Sequence, residues 1–291
     1  VKQTAVLALL VHLLSASPSA GMAPSAIVYA LQGETSCTNP EQPRRPLRLF
    51  DRLPAGAVVT VGKASHLDLA FASGRRWTLG AGAQVTIGRT ELASRSGDVR
   101  PLPSVPPLPR LAPIAMENRP GPRAGAVRIR SERMTGLYPR KGVTVIAGAA
   151  GLHFQRVEGA KRYRIEVQDG QGGTVFETET ESPPVAVPAG KLLSGRRYTW
   201  TVRTLDRPGG AARGEAEIVT LDEHTARVRE EARRILAEEG PDALPLLAEI
   251  DRSLGLLLES RQDLQAALSD KLGDPALQEA LAEIETYLQS P

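Results

Sequence analysis

Four histidines, at positions 12, 66, 153 and 224, are the groups best able to move a proton or hold a metal near neutral pH. None belongs to an H-x3-H or H-E-x-x-H spacing, which would put two rings on one helix face, so no zinc site is expected. His12 falls in the leader described below, whereas His66 and His153 alternate with apolar neighbours and are expected on exposed strand faces. Glu177, Glu179 and Glu181 share one face of a strand, but glycosidase chemistry needs two carboxylates across a cleft. A row along one strand better serves solubility and guards an edge against pairing. Gly80-Ala81-Gly82 resembles the opening of a dinucleotide loop, yet the strand of Val85-Thr86-Ile87 follows instead of a helix, so it cannot cradle an anion. No G-x-S-x-G nucleophile elbow is present. Cys37 is the lone cysteine, which removes internal disulfides; it reads as an unpaired bystander, with pairing between chains as the alternative. Glu34-Thr35-Ser36 directly before it argues against a lipid anchor. The expectation is a chain with no catalytic residues, no cofactor and no metal: not an enzyme.

Charge points to binding instead. Residues 222–291 carry 7 Lys/Arg and 16 Asp/Glu, a net of −9, while the remainder carries 29 and 17, a net of +12. A basic body with an acidic tail suits anionic glycans, lipid headgroups or nucleic acid, or a tail that shields the body; solvated faces of an arginine-rich chain are the plainer reading. No basic helix and no arginine-aromatic platform is present, so nucleic acid is not expected. The candidate interaction surface is Arg75, Arg76, Arg128 and Arg130.

Residues 1–26 read as a signal peptide: Lys2, a short apolar run from Ala5 to Leu14, then small residues. A membrane span needs ~20 apolar residues, so an uncleaved anchor is the lesser alternative. The mature chain is expected in the periplasm or outside the cell, without a span.

What must position any site is mostly strand. In residues 47–88, Val59 and Val61, then Leu67, Leu69 and Phe71, then Trp77 and Leu79, then Val85 and Ile87 each keep a period of two between glycine-rich turns. Ile27 to Gly33 precedes them as a strand, and 34–46 is expected as a loop. Asp51-Arg52-Leu53-Pro54-Ala55-Gly56, Ser65-His66-Leu67-Asp68-Leu69 and the Ser73-Gly74 and Leu79-Gly80 turns resemble the FecR-type domain of bacterial periplasmic proteins. The chain departs from that pattern with Phe50 in a position where the family often has Gly, and with Ala72-Ser73-Gly74 for an Asp-Gly turn. The resemblance implies a non-catalytic extracytoplasmic β module over 27–97; sigma-factor signalling, known in some members, is a lesser alternative.

Residues 98–124, rich in proline, are expected as a semi-rigid linker, with Pro106-Pro107-Leu108-Pro109 a conceivable ligand for a proline-binding groove. A second β unit spans 125–221, opening with Val127-Arg128-Ile129-Arg130. Leu152, Phe154, Gly159, Ala160, Tyr163, Ile165, Val167 and Asp169, followed by Leu193, Gly195, Tyr198, Trp200 and Val202, resemble a fibronectin type III or immunoglobulin-like sandwich. That resemblance implies adhesion, spacing or partner binding, with Tyr198 and Trp200 in the core. Residues 222–291 change to helical periodicity, with helices expected at 223–238, 241–253, 256–269 and 275–288. Leu244, Leu247, Gly255, Leu257, Leu264 and Ala267 resemble a tetratricopeptide-type hairpin, from which Asp251 and Ser260 depart. A lone hairpin cannot bury its faces, so a small bundle or a docked partner is expected.

The fold class expected is therefore mainly β with an α-helical C-terminal tail: small β domain, proline-rich linker, β-sandwich, helical hairpin or bundle. The function expected is an exported, non-enzymatic scaffold of the bacterial envelope that binds protein partners. Binding of cell wall or anionic polysaccharide is the alternative.

Overall fold

A computed structural model describes residues 25–39, 42–107, 133–207 and 211–289. Most of the stretch expected as a signal peptide, Arg128, Arg130, the strand expected at Val127–Arg130 and most of the proline-rich stretch lie outside these residues.

Ten strands build the first module: β1 (Ala26–Gln32), β2 (Thr35–Asn39), β3 (Gln42–Pro46), β4 (Arg52–Leu53), β5 (Val58–Val61), β6 (His66–Phe71), β7 (Arg76–Leu79), β8 (Gln84–Ile87), β9 (Leu92–Ser96) and β10 (Val99–Leu102). They form two five-stranded sheets, ordered β10-β7-β6-β1-β4 and β3-β2-β5-β8-β9. The period of two turns Val28, Leu67, Leu69, Trp77 and Leu79 of the first sheet towards Cys37, Val59, Val61, Val85 and Ile87 of the second, closing one core.

Two segments differ from expectation. Residues 34–46 hold the hairpin β2–β3 instead of a loop. Val99–Leu102, placed in the linker by its prolines, is a strand paired with β7. β3 and β10 are edge strands, where a proline's missing N–H costs no ladder bond on the open side.

The second module contains β11 (Thr144–Val145), β12 (Gly151–Leu152), β13 (Tyr163–Asp169), β14 (Thr174–Thr180), β15 (Val185–Ala186), β16 (Arg197–Thr204) and β17 (Arg213–Thr220). One sheet runs β11-β17-β16-β13-β14, faced by the short pair β12-β15. Tyr163, Ile165, Val167, Tyr198, Trp200 and Val202 fill the core with Leu152 and Val187, which places Tyr198 and Trp200 as expected. Their polar ends tie down loops: Trp200 Nε1 donates to the Pro139 carbonyl at 2.9 Å, and the Leu193 N–H donates to Tyr198 Oη at 2.7 Å.

Four helices follow: α1 (Glu223–Ala237), a 3-10 turn (Gly240–Ala243), α2 (Leu244–Ser253), α3 (Leu257–Asp270) and α4 (Pro275–Gln289). The chain is thus mainly β with a helical C-terminal region. α1 starts at Asp222, whose carboxylate accepts from the Thr225 N–H. α2 is buried continuously from Pro245 to Asp251, as a helix is when it packs on several sides. Leu236, Leu246, Leu247 and Ile250 cover Ile27, Tyr29 and Ala70 on the outer face of the first sheet. Leu257, Leu264, Leu277 and Ile284 pack with Tyr138 and Val143 of the second module. The helical region is therefore the joint between the two β modules. Pro106 and Pro107 lie against α1 and α2 beside Val228, Ala232 and Ile250, so the proline stretch begins docked.

Candidate functional site

Of the four arginines offered as an interaction surface, Arg128 and Arg130 lie outside the described residues, and Arg75 and Arg76 sit in different surroundings. Arg75 is exposed and forms an ion pair with Glu91. Arg76, its neighbour, has a fully buried side chain. Alternation puts Trp77 and Leu79 inside the sandwich and Arg76 on the outer face, but the helices cover that face. Its Nε donates to the Pro103 carbonyl at 2.8 Å, and its terminal nitrogens reach Tyr29 Oη at 3.5 Å and Glu239 Oε2 at 2.7 Å. One guanidinium thereby ties together β7, β1, the proline stretch and the end of α1. Burial by itself would lower the Arg76 pKa, but the hydrogen bond and charge of Glu239, together with Tyr29, raise it. Burial pushes the Tyr29 phenol well up, with the charge of Asp68 adding to it.

Further charged groups stitch the same junction. Arg52 of β4 pairs with the buried Glu249 of α2, which also takes Arg252 at 2.9 Å. Asp251, 1% exposed, accepts Arg229 on both oxygens at 2.6 and 2.8 Å, and Arg233 at 3.1 Å. Arg233 continues to Asp263 of α3. Burial raises the Asp263 pKa, opposed by the charge and hydrogen bond of Arg233. Ser260 Oγ donates to the Ala248 carbonyl at 2.7 Å. Of these carboxylates the sequence marked only Asp251, as a departure from the tetratricopeptide pattern; for Glu239, Glu249 and Asp263 the only signal was the acidity of the C-terminal segment as a whole.

The groups weighed for chemistry are held apart. His66 Nε2 lies 3.0 Å from Asp68 Oδ1, and Thr78 Oγ1 is 3.5 Å from both ring nitrogens. A hydroxyl equidistant from both nitrogens at that range sits over the ring, off the in-plane lone pair a general base must offer. His66 is exposed as expected; His153 is half-buried, edge-on to Tyr138 at 5.9 Å, because an antiparallel bridge holds the two together. Glu177 and Glu179 of β14 form ion pairs with Arg164 and Arg162, which neutralises two members of the row. The Gly80 N–H donates to the Asp98 carbonyl beside the β7–β10 pairing, and a Cβ there would lie 2.3 Å from Asp98 Oδ2. Cys37 is buried in the core of the first module, and burial pushes its thiol up, which disfavours the reactive thiolate. Among the described residues no group of three His, Cys, Asp or Glu could hold a metal ion, and no helix is long and apolar enough to cross a membrane.

No family model matches the sequence, and no curated protein matches it. Among solved structures, CopC from Methylosinus trichosporium OB3b is 20% identical over 31% of this chain and 94% of that one, with a TM-score of 0.25. A fibronectin type III domain of the human collagen alpha-1(XX) chain is 19% identical over 35% and 90%, with a TM-score of 0.25. The FN1–FN3 domains of chicken CNTN1 are 10% identical over 69% and 58%, again with a TM-score of 0.25. None reaches the level of a shared overall fold.

Proposed function

We propose that the chain is an exported, non-enzymatic scaffold of the bacterial cell envelope, which presents two β modules to protein partners at a fixed mutual orientation. The observation that carries this reading is the double seat of the helical region, on the first sheet through Leu236, Leu247 and Ile250 and on the second module through Leu257 and Leu277. A joint packed on both sides sets spacing, which is what a scaffold requires. The separate placement of His66 and His153, one in each module, favours binding over catalysis. The FecR-like pattern and the leader favour export; Phe50, in the position where that pattern often has Gly, has a φ of 67°, the conformation glycine takes most readily. The tetratricopeptide likeness is kept only as a helical hairpin, since Asp251 and Ser260 spend their polar bonds inside the molecule.

The surface favoured for a partner is a groove of about 540 Å3 between Ile146, Ser194 and Leu221 of the second module and Ala226, Arg227 and Glu230 of α1. A photo-crosslinking residue at Ala226, in the full chain expressed in bacteria, is expected to give one discrete adduct with an envelope protein. The same residue at exposed Glu181 is expected to give none. Absence of an adduct at 226, or recovery of the chain in the cytoplasmic fraction, overturns the reading.

A further inference from the structure

A cleft of about 280 Å3 opens where the loop before β4 meets α2, α3 and α4. Leu49, Phe50, Leu264, Ala276 and Ala280 give it apolar walls, and the two alanines of α4 supply the opening. Its polar groups divide cleanly. Asp51 takes Arg45 at 2.6 Å and the Arg48 N–H at 2.9 Å. Arg252 is shared by Glu249 and Glu283 at 2.9 and 2.8 Å, and Ser260 donates to Ala248. Among the described residues, the Arg48 guanidinium and the Glu279 carboxylate alone of these lining groups have no side-chain partner, and no ion pair joins them. The wall that carries Arg48 is fixed in advance: the Phe50 N–H donates to the Val28 carbonyl at 2.8 Å and the Asp51 N–H to the Arg48 carbonyl at 3.1 Å.

We propose that this cleft binds a small zwitterion with an apolar body, of the class of a free aliphatic amino acid, its carboxylate on Arg48 and its ammonium on Glu279. One free charge of each sign above an apolar floor matches that ligand group by group, and a site at a junction between modules is where such clefts recur. A ligand with a single charge leaves the opposite protein charge without a partner, so discrimination comes from both ends of the molecule.

The test uses the full chain and L-leucine as probe, followed by amide chemical shifts. Leucine is expected to move resonances of residues 48–51 and 276–283 with a dissociation constant on the order of millimolar. Leucinamide and N-acetyl-leucine, which each keep one charge, are expected to bind about tenfold more weakly. R48Q should bind leucine and leucinamide alike, and E279Q should bind leucine and N-acetyl-leucine alike. Both side chains are exposed and unpaired, so neither change should move the melting temperature. Ala280→Trp, filling the cleft, should abolish binding. Equal affinity for the three probes, retained discrimination in R48Q and E279Q, or no shift at tens of millimolar leucine overturns the assignment.

Discussion

At the scale of the residue, Arg76 carries the greatest consequence. Its side chain has no exposure, and Glu239 balances its charge across the joint. Removing one member of a buried pair leaves the other uncompensated, at a cost of about 3 kcal/mol or more. Glu239→Leu is therefore expected to lower the urea midpoint strongly, and the double change Arg76→Met with Glu239→Leu to recover part of the loss. A double-mutant cycle measures this coupling. His153 gives a pH dependence. Burial, and then the charge of Arg261, lower its pKa. The unfolded chain takes up this proton near pH 6.5, the folded chain only at lower pH, so stability falls as pH drops below about 6.5. His153→Phe keeps an aromatic ring against Tyr138 and should flatten that part of the melting-temperature profile between pH 7.5 and 5. Sequence alternation put Arg76 on the correct face of β7; what it could not carry is that helices more than a hundred residues later close over that face.

At the scale of the element, the helices were legible and several strands were not. The four helices start and stop within a few residues of the expected bounds. β3, β9 and β10 are edge strands with little or no buried face, so their sequences carry no period of two. β17 hides its pattern because Gly214 and Ala216 take positions opposite Val202 and Trp200. Asp222 caps α1, and its pKa is lowered by the Thr225 N–H, so its contribution is lost as pH falls through that depressed value. Asp222→Ala should cost about 1 kcal/mol in a denaturant titration near neutral pH and less in acid. Gly255, between α2 and α3, has a φ of 78°, and its carbonyl accepts the Thr144 N–H at 3.0 Å. An added Cβ would lie 3.0 Å from Thr144 Oγ1. Gly255→Ala should destabilise by about 1 kcal/mol or more and speed amide exchange at Thr144, where helix and second module meet.

At the scale of the whole molecule, the charge asymmetry was visible from the start but its target was not. The basic body and the acidic helices meet within one chain, through Arg52 on Glu249 and Arg76 on Glu239. The helices are thus a structural part of the molecule, wedged against both modules. Removal of residues 222–291 should leave Ile27, Tyr29 and Ala70 wet and the second module without its seat on Leu257. The truncated chain is expected to bind a hydrophobic dye and to lose its sharp thermal transition. A fully cooperative transition without dye binding would show that the modules stand alone.

The cover over β1 also has a meaning in time. Ile27 and Leu236 share one cluster although more than two hundred residues separate them in sequence. Synthesis or export that proceeds from the N-terminus delivers β1 first and α1 long afterwards. Until then the outer face of the first sheet is an orphan, sticky and solvent-facing, whatever the final stability of the protein. The yield of this molecule in the cell should therefore be governed by how fast its last segment arrives, or by a chaperone that shelters β1 while it waits.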